Sequence, residues 1–309
     1  MRRRLAVAAV VFAATLFAAL LAMTYPAQAT YPGTTDGRIA FGDDVVDPTG
    51  AAPDIYSVMP DGNARHRLTD DPAQDICPAY SADGKEIAFC SNRTGKFEIW
   101  TMKQNGEKQT QVTRLGKVSL FPDFSPDASA IVFMSGSFGN FDIYAVDRRS
   151  GVVTQLTSTP GLDGFPVYSP DGEKIAFLSA RSGVPQVWVM NADGSDPVQL
   201  TFDPARKDQV PDWSPDGSRI AYQSTATGNG DIYVMNADGS NQTQLTHTPQ
   251  PEFGTSWSPD GGQIAFVRVL GPAQTERAIY VINADGSGEY QLAHGTRVPA
   301  WQPRGDRLG

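Results

Sequence analysis

Between Ile39 and Trp301 the chain repeats a single unit, and that repeat constrains the fold more than any other feature. The clearest copy begins Pro211-Asp212-Trp213-Ser214-Pro215-Asp216-Gly217 and continues through Ile220-Ala221-Tyr222. It then runs Asp231-Ile232-Tyr233-Val234-Met235-Asn236-Ala237-Asp238-Gly239 and closes with Gln244-Leu245-Thr246. Ser81, Ser125, Ser169, Ser214, Ser258 and Gln302 mark one repeat position and lie 44 or 45 residues apart. A unit this short cannot bury its own apolar face, so neighbouring copies must stack into a solenoid or close into a propeller.

Each period holds four short β runs: Pro-x-aromatic, Ile-Ala-Phe, Ile-Tyr-Val and Gln-Leu-Thr. The Ser-Pro-Asp-Gly and Asn-Ala-Asp-Gly stretches between them are turn chemistry. Proline presets φ, aspartate bonds its own backbone, and glycine accepts positive φ. No segment carries a sustained helical period. Four strands in about 44 residues make one propeller blade.

Three aromatic columns support stacking of blade on blade. They are Phe41, Phe89, Phe133, Phe177, Tyr222 and Phe266; Tyr56, Trp100, Tyr144, Trp188, Tyr233 and Tyr280; and Tyr80, Phe124, Tyr168, Trp213, Trp257 and Trp301. The Ile-Ala-Phe runs are apolar without alternation, as expected when both faces of a sheet are covered. The expected fold is all-β, a six-bladed β-propeller of four-stranded antiparallel blades. The repeat begins at the second strand type and ends at the first. The C-terminal strand Arg297 to Trp301 is therefore expected to lie beside Ile39 to Phe41 and close the ring, which removes the open sheet edge.

Residues 1–29 read as a signal peptide and residues 30–309 as the propeller. Arg2-Arg3-Arg4 precedes an uncharged, mostly apolar run from Leu5 to Met23, and Ala27-Gln28-Ala29 fits a small-x-small cleavage site. A retained anchor is the alternative, because the run approaches the length that spans a bilayer. Cleavage implies an exported protein, periplasmic, cell-surface or secreted, with no stable membrane insertion afterwards. The formal net charge is -9. An acidic chain without clustered lysine and arginine excludes nucleic acid as a partner class and favours basic partners or cations.

Only two cysteines occur, Cys77 and Cys90. In an exported protein such a pair suggests a disulfide. They flank the Ser81–Gly84 turn. With Tyr80 opposite Ile87, Cys77 is expected opposite Cys90.

The repeat resembles the TolB-type, WD40-like β-propeller family, in particular through Ser179-Ala180-Arg181-Ser182-Gly183 and Ser91-Asn92-Arg93-Thr94-Gly95, and the likeness covers residues 37 to 305. The resemblance implies a six-bladed propeller working as an extracytoplasmic protein-interaction module. It extends to the propeller part alone. The TolB protein carries an additional α/β domain ahead of its propeller, whereas here the signal runs almost directly into the first blade.

No nucleophile elbow, zinc-protease helix or phosphate-binding glycine loop is present in the sequence. The repeated aspartates Asp83, Asp127, Asp171, Asp216 and Asp260 read as turn residues. One position is more suggestive. Asp75, Ser119, Asp163, Asp208, Glu252 and Thr296 occupy one repeat site ahead of the inner strand. The acidic members Asp75, Asp163, Asp208 and Glu252 are expected at the channel mouth, as a Ca²⁺ or Mg²⁺ site or a docking point for a basic segment, with solvated loop polarity as the bland alternative. No cofactor is otherwise implied. The leading expectation is a monomeric, non-enzymatic module that binds a protein or cell-envelope component. The alternative is a small-substrate or carbohydrate-active hydrolase or lyase, which a close carboxylate pair in a deep pocket would favour.

Overall fold

A computed structural model describes residues 34–43, 53–137, 139–271, 276–295, 297 and 299–305. The proposed signal peptide lies outside them, as does Thr296. The described residues form 24 strands in six four-stranded sheets, with every paired strand antiparallel and no helix. Blades 2 to 6 each use four consecutive strands. Their inner strands are Asp75–Tyr80, Val118–Phe124, Asp163–Tyr168, Asp208–Trp213 and Glu252–Trp257.

Blade 1 is composite. Its inner strand is Ala300–Gly305, which pairs with Thr34–Asp43, followed by Asp54–Val58 and His66–Arg67. Trp301 stands opposite Ile39 and Ala300 opposite Ala40, so the ring closes as the strand count requires. The hydrogen bonds agree. Trp301 N–H donates to Ser256 Oγ of the preceding blade (3.2 Å), just as Trp257 N–H donates to Asp212 Oδ2 (2.8 Å) and Tyr168 N–H to Asp123 Oδ2 (2.8 Å). Trp301 is buried with Trp257 and Phe41 among the largest enclosed side chains. Truncation of so large a buried aromatic costs about 3–5 kcal/mol.

The turn aspartates do what turn chemistry asks of them. Ser125 Oγ donates to Asp127 Oδ1 (2.7 Å), and the Ser129 N–H donates to the same oxygen (3.0 Å). The Ser129 N–H, followed by the two serine hydroxyls, holds the Asp127 carboxyl below its usual range. The glycine that follows sits at positive φ in four such turns, at Gly84, Gly172, Gly217 and Gly261, whereas blade 3 places Ala128 there at φ 54°.

The inner strands are not regular. Each of the five in blades 2 to 6 carries a bulge, and in four of them a non-glycine residue takes positive φ: Cys77, Phe121, Phe165 and Val210. This bulge shifts the register expected for the cysteines. Cys90 faces Ile76, with Cys77 in the bulge beside it.

Candidate functional site

The inner strands begin at the upper rim of the ring and finish at its lower rim. The acidic repeat position lies at the upper rim, but its carboxylates are buried rather than displayed. Asp75, Asp163, Asp208 and Glu252 are each at most 1% exposed. The structure does not bring the four together. Each meets an arginine associated with its own blade. Arg93 Nη2 lies 2.7 Å from Asp75, Arg181 Nη2 2.9 Å from Asp163, Arg206 Nε 3.2 Å from Asp208, and Arg268 Nη2 2.5 Å from Glu252.

These arginines come from different places in the repeat. Arg93 and Arg181 belong to the Ser-x-Arg-x-Gly loop after the second strand. Blade 5 has Ala226 at that loop position and supplies Arg206 from the loop before its inner strand. Blade 6 supplies Arg268 from the second strand itself. Blade 3 has no acid here: Ser119 faces Ser135 across a 3.1 Å hydroxyl contact. Acid and arginine thus occur together or not at all in blades 2 to 6. A buried carboxylate without its cation would carry the full desolvation cost, so one member requires the other.

The guanidiniums are also stacked on the aromatic columns. Arg181 lies 5.4 Å from the Phe177 ring centre and 4.9 Å from that of Trp188; Arg93 lies 5.6 Å from Phe89 and 4.7 Å from Trp100. Even so, burial pushes the carboxyls of Asp75, Asp208 and Glu252 above their usual range, against the pull of hydrogen bonds and arginine. Among the described residues no group of three or more His, Cys, Asp or Glu side chains is arranged to hold a metal ion.

The axis is packed. Cys77, Phe121, Phe165 and Val210, the four bulge residues, join one buried apolar cluster that also takes Phe253 from blade 6. Phe121 and Phe165 stack with ring centres 4.6 Å apart. A cluster fed by the inner strands of five blades lies where those blades converge, so apolar side chains close the centre of the ring.

Two carboxylates lie below this plug. Asp123 and Asp212 are buried one residue after the proline position of blades 3 and 5, and each accepts the N–H of the next blade's aromatic residue. Burial, and then the charge of Asp123, raises the Asp212 carboxyl well above its usual range. Among the described residues Asp212 Oδ1 has no hydrogen-bond partner. Its side chain is fully enclosed, so no substrate reaches it.

Cys77 and Cys90 are buried neighbours, each a free thiol in the structure. Burial, followed by the hydrogen bond with Cys77, raises the Cys90 thiol well above its usual range, against the Phe121 N–H that donates to Cys90 Sγ (3.3 Å).

Comparison with known proteins places this geometry. A family model described as the TolB beta propeller domain matches residues 112–303. The chain belongs to the TolB β-propeller family. The crystal structure of TolB from Acinetobacter baumannii is 26% identical, with a TM-score of 0.77 over 89% of this chain and 68% of that one. A putative TolB from Agrobacterium tumefaciens shares the fold at 18% identity and a TM-score of 0.67, over 87% of this chain and 98% of that one. A protein of Agrobacterium fabrum, described as uncharacterized, is 38% identical over 60 residues, which is 19% of this chain and 20% of that relative's length.

Within this TolB propeller, sequence reasoning found the acidic column but missed the arginines that neutralise it. Part of the signal was available: the Ser-x-Arg-x-Gly loops carry Arg93 and Arg181 in the copies with Asp75 and Asp163, and the copy with Ser119 has no arginine in that loop. A second acidic column, Asp54, Glu98, Asp142 and Asp231, also went unread. These side chains are buried at the start of the third strand. Thr69 and Thr113, at the ends of the outer strands, donate to Asp54 and Glu98 at 3.0 and 2.5 Å. Both columns brace the upper rim from within.

Proposed function

We propose that this TolB propeller is an exported, monomeric, non-enzymatic interaction module that docks a protein or envelope component on its upper rim. The observation that carries this reading is the closed axis. Apolar side chains fill the centre, and the rim carboxylates are occupied by arginines, so the loops remain as the reactive surface. Those loops carry an anchor. Phe202 stands 69% exposed in the loop between Thr201 and Asp208, at a position taken by Asp70, Arg114, Ser158 and His247 in other blades. Exposed aromatics of this kind dominate binding energy when a partner covers them.

Envelope extract passed over the immobilised protein is expected to leave a retained partner, lost with Phe202→Asp. Retention no greater than that by an unrelated propeller would overturn the reading. The four rim carboxylates offer a second reading as a cation site. Occupation by Ca²⁺ or Mg²⁺ would require the guanidiniums to move away. A rise in melting temperature at millimolar Ca²⁺, abolished by Asp163→Asn with Asp208→Asn, would establish that reading in place of the arginine clamp.

A further inference from the structure

The lower rim breaks its own rule at one junction. In five blades the turn between the third and outer strands seats its glycine on the outer strand of the blade before. Gly62, Gly106, Gly194, Gly239 and Gly286 meet the carbonyls of Leu292, Leu68, Leu156, Leu200 and Leu245 so closely that an added Cβ would lie within 3.5 Å of each. Each of these turns closes with a hydrogen bond four residues on, as from Asn191 N–H to the Ser195 carbonyl (2.9 Å). Blade 3 differs. Asp147 N–H reaches five residues on, to the Val152 carbonyl (2.9 Å), and the glycine falls one position later. A Cβ on Gly151 would meet nothing within 4 Å.

Two further departures fall at the same junction. The leucine of the outer strand is Val112, and the alanine found in the turns of blades 4, 5 and 6 is Arg148. Together they leave a crevice of about 820 Å³ between blades 2 and 3. That volume lies within the ~300–1,000 Å³ typical of ligand sites.

The crevice is cationic on an acidic protein. Lys85, Lys103, Lys108 and Arg148 line it, with Met102 and Val112 among its apolar residues. Glu86 and Asp147 also line it, but both are engaged. Glu86 is bonded to Arg148 Nη2 (2.8 Å), and Asp147 accepts the hydroxyl of Ser150 (2.7 Å). Arg148 is fixed further by the Ala128 carbonyl (2.8 Å) and by the Phe124 ring 5.1 Å beneath it. Lys85 and Lys103 have exposed partners, Asp83 and Glu107 at 3.0 and 3.2 Å, of the kind worth little and readily exchanged. Lys108 pairs with no carboxylate among the ion pairs of the described residues.

We infer that the crevice between blades 2 and 3 is a binding site for an acidic peptide segment of a partner protein, its carboxylates meeting Lys85, Lys103 and Lys108 and an apolar side chain resting on Val112. The site lies at the opposite rim from Phe202 and does not depend on docking there.

The test is fluorescence anisotropy on the full chain, with a fluorescein-labelled hexapeptide of alternating aspartate and leucine. Saturable binding is expected, weakened about tenfold on going from low salt to about 0.5 M NaCl. Val112→Leu restores the residue of the other blades and fills the floor, and Lys108→Glu reverses the unpaired cation. Each is expected to weaken binding about tenfold while the melting temperature holds. Phe202→Asp is expected to leave peptide binding unchanged, which separates this site from upper-rim docking. Absence of saturable binding, indifference to both crevice variants, or equal binding of a lysine–leucine hexapeptide would each overturn the inference. Stronger binding of inorganic pyrophosphate than of the acidic peptide would also overturn it, in favour of a phosphate site.

Discussion

Blades 3 and 4 are neighbours with the same strand order and the same aromatic columns, yet they solve the repeat differently. Blade 4 buries Asp163 against Arg181, takes glycine in both lower turns and places Val167 on its inner strand. Blade 3 has Ser119 against Ser135, Ala128 and Arg148 in its turns, and Asp123 on its inner strand. Both form complete four-stranded sheets. The polar clamp is therefore a matched pair that a blade keeps or drops whole, whereas aromatic packing and turn geometry define the blade. The comparison also locates the open crevice, which lies where blade 3 departs from the turn that seals the other junctions.

The largest expected effect comes from breaking the clamp of blade 4 on one side only. Arg181→Ala leaves Asp163 enclosed without its cation and is expected to cost about 3–5 kcal/mol in chemical denaturation. Adding Asp163→Ser, which rebuilds the pattern of blade 3, is expected to recover at least about half of that loss. Equal losses in the single and double variants would show that the pair does not act as a unit.

Blade 2 has a pair of its own that neither blade 3 nor blade 4 possesses. If the protein is exported as proposed, Cys77 and Cys90 are expected to form a disulfide that stabilises it by about 2–3 kcal/mol. Mass after alkylation without reduction should show no modified thiol, and two modified thiols would refute the bond.

Asp212 on the blade 5 inner strand gives a pH-dependent contrast with Val167. The folded state holds the Asp212 proton more tightly than the unfolded chain does. Its contribution to stability is thus complete below the ordinary carboxylate range and is lost as pH rises through the higher folded value. Asp212→Asn keeps an acceptor for Trp257 N–H and removes the charge. It is expected to stabilise by about 1–2 kcal/mol in mildly alkaline buffer, the gain shrinking toward zero near pH 4. A gain that grows on acidification would reverse the assignment. The smallest effect is in the turn. Ala128→Gly restores the residue of blade 4 at a positive φ and is expected to raise stability by about 0.5–1 kcal/mol, visible as a small rise in melting temperature.

The architecture was legible because its determinants are local and repeated. Turn residues, three aromatic columns and a strand count sufficed to place Trp301 beside Ile39. The position of the acidic column on the repeat was legible as well, but its surroundings were not. Whether Asp208 faces solvent or a guanidinium depends on Arg206, which lies outside the loop that supplies Arg93 and Arg181. The plug depended on a bulge that turns Phe121 and Phe165 out of strand alternation, and a period-two reading cannot register such a turn. The same bulge moved Cys90 opposite Ile76. Glycine position in the turn after Val146 was visible, but its meaning appears only when Gly151 is set against the outer strand of another blade.

Closure of the ring by Ala300–Gly305 has a consequence for the order of events in biosynthesis. The strand containing Ile39 is made early, and its hydrogen-bonding partner emerges last, separated by nearly the whole propeller. Contacts of such high sequence separation slow folding and prolong the interval in which an unpaired edge is exposed. Until then blade 1 is an incomplete sheet with a waiting groove, so the nascent propeller would need a holdase, or rapid completion of the chain, most urgently at its beginning rather than at its end.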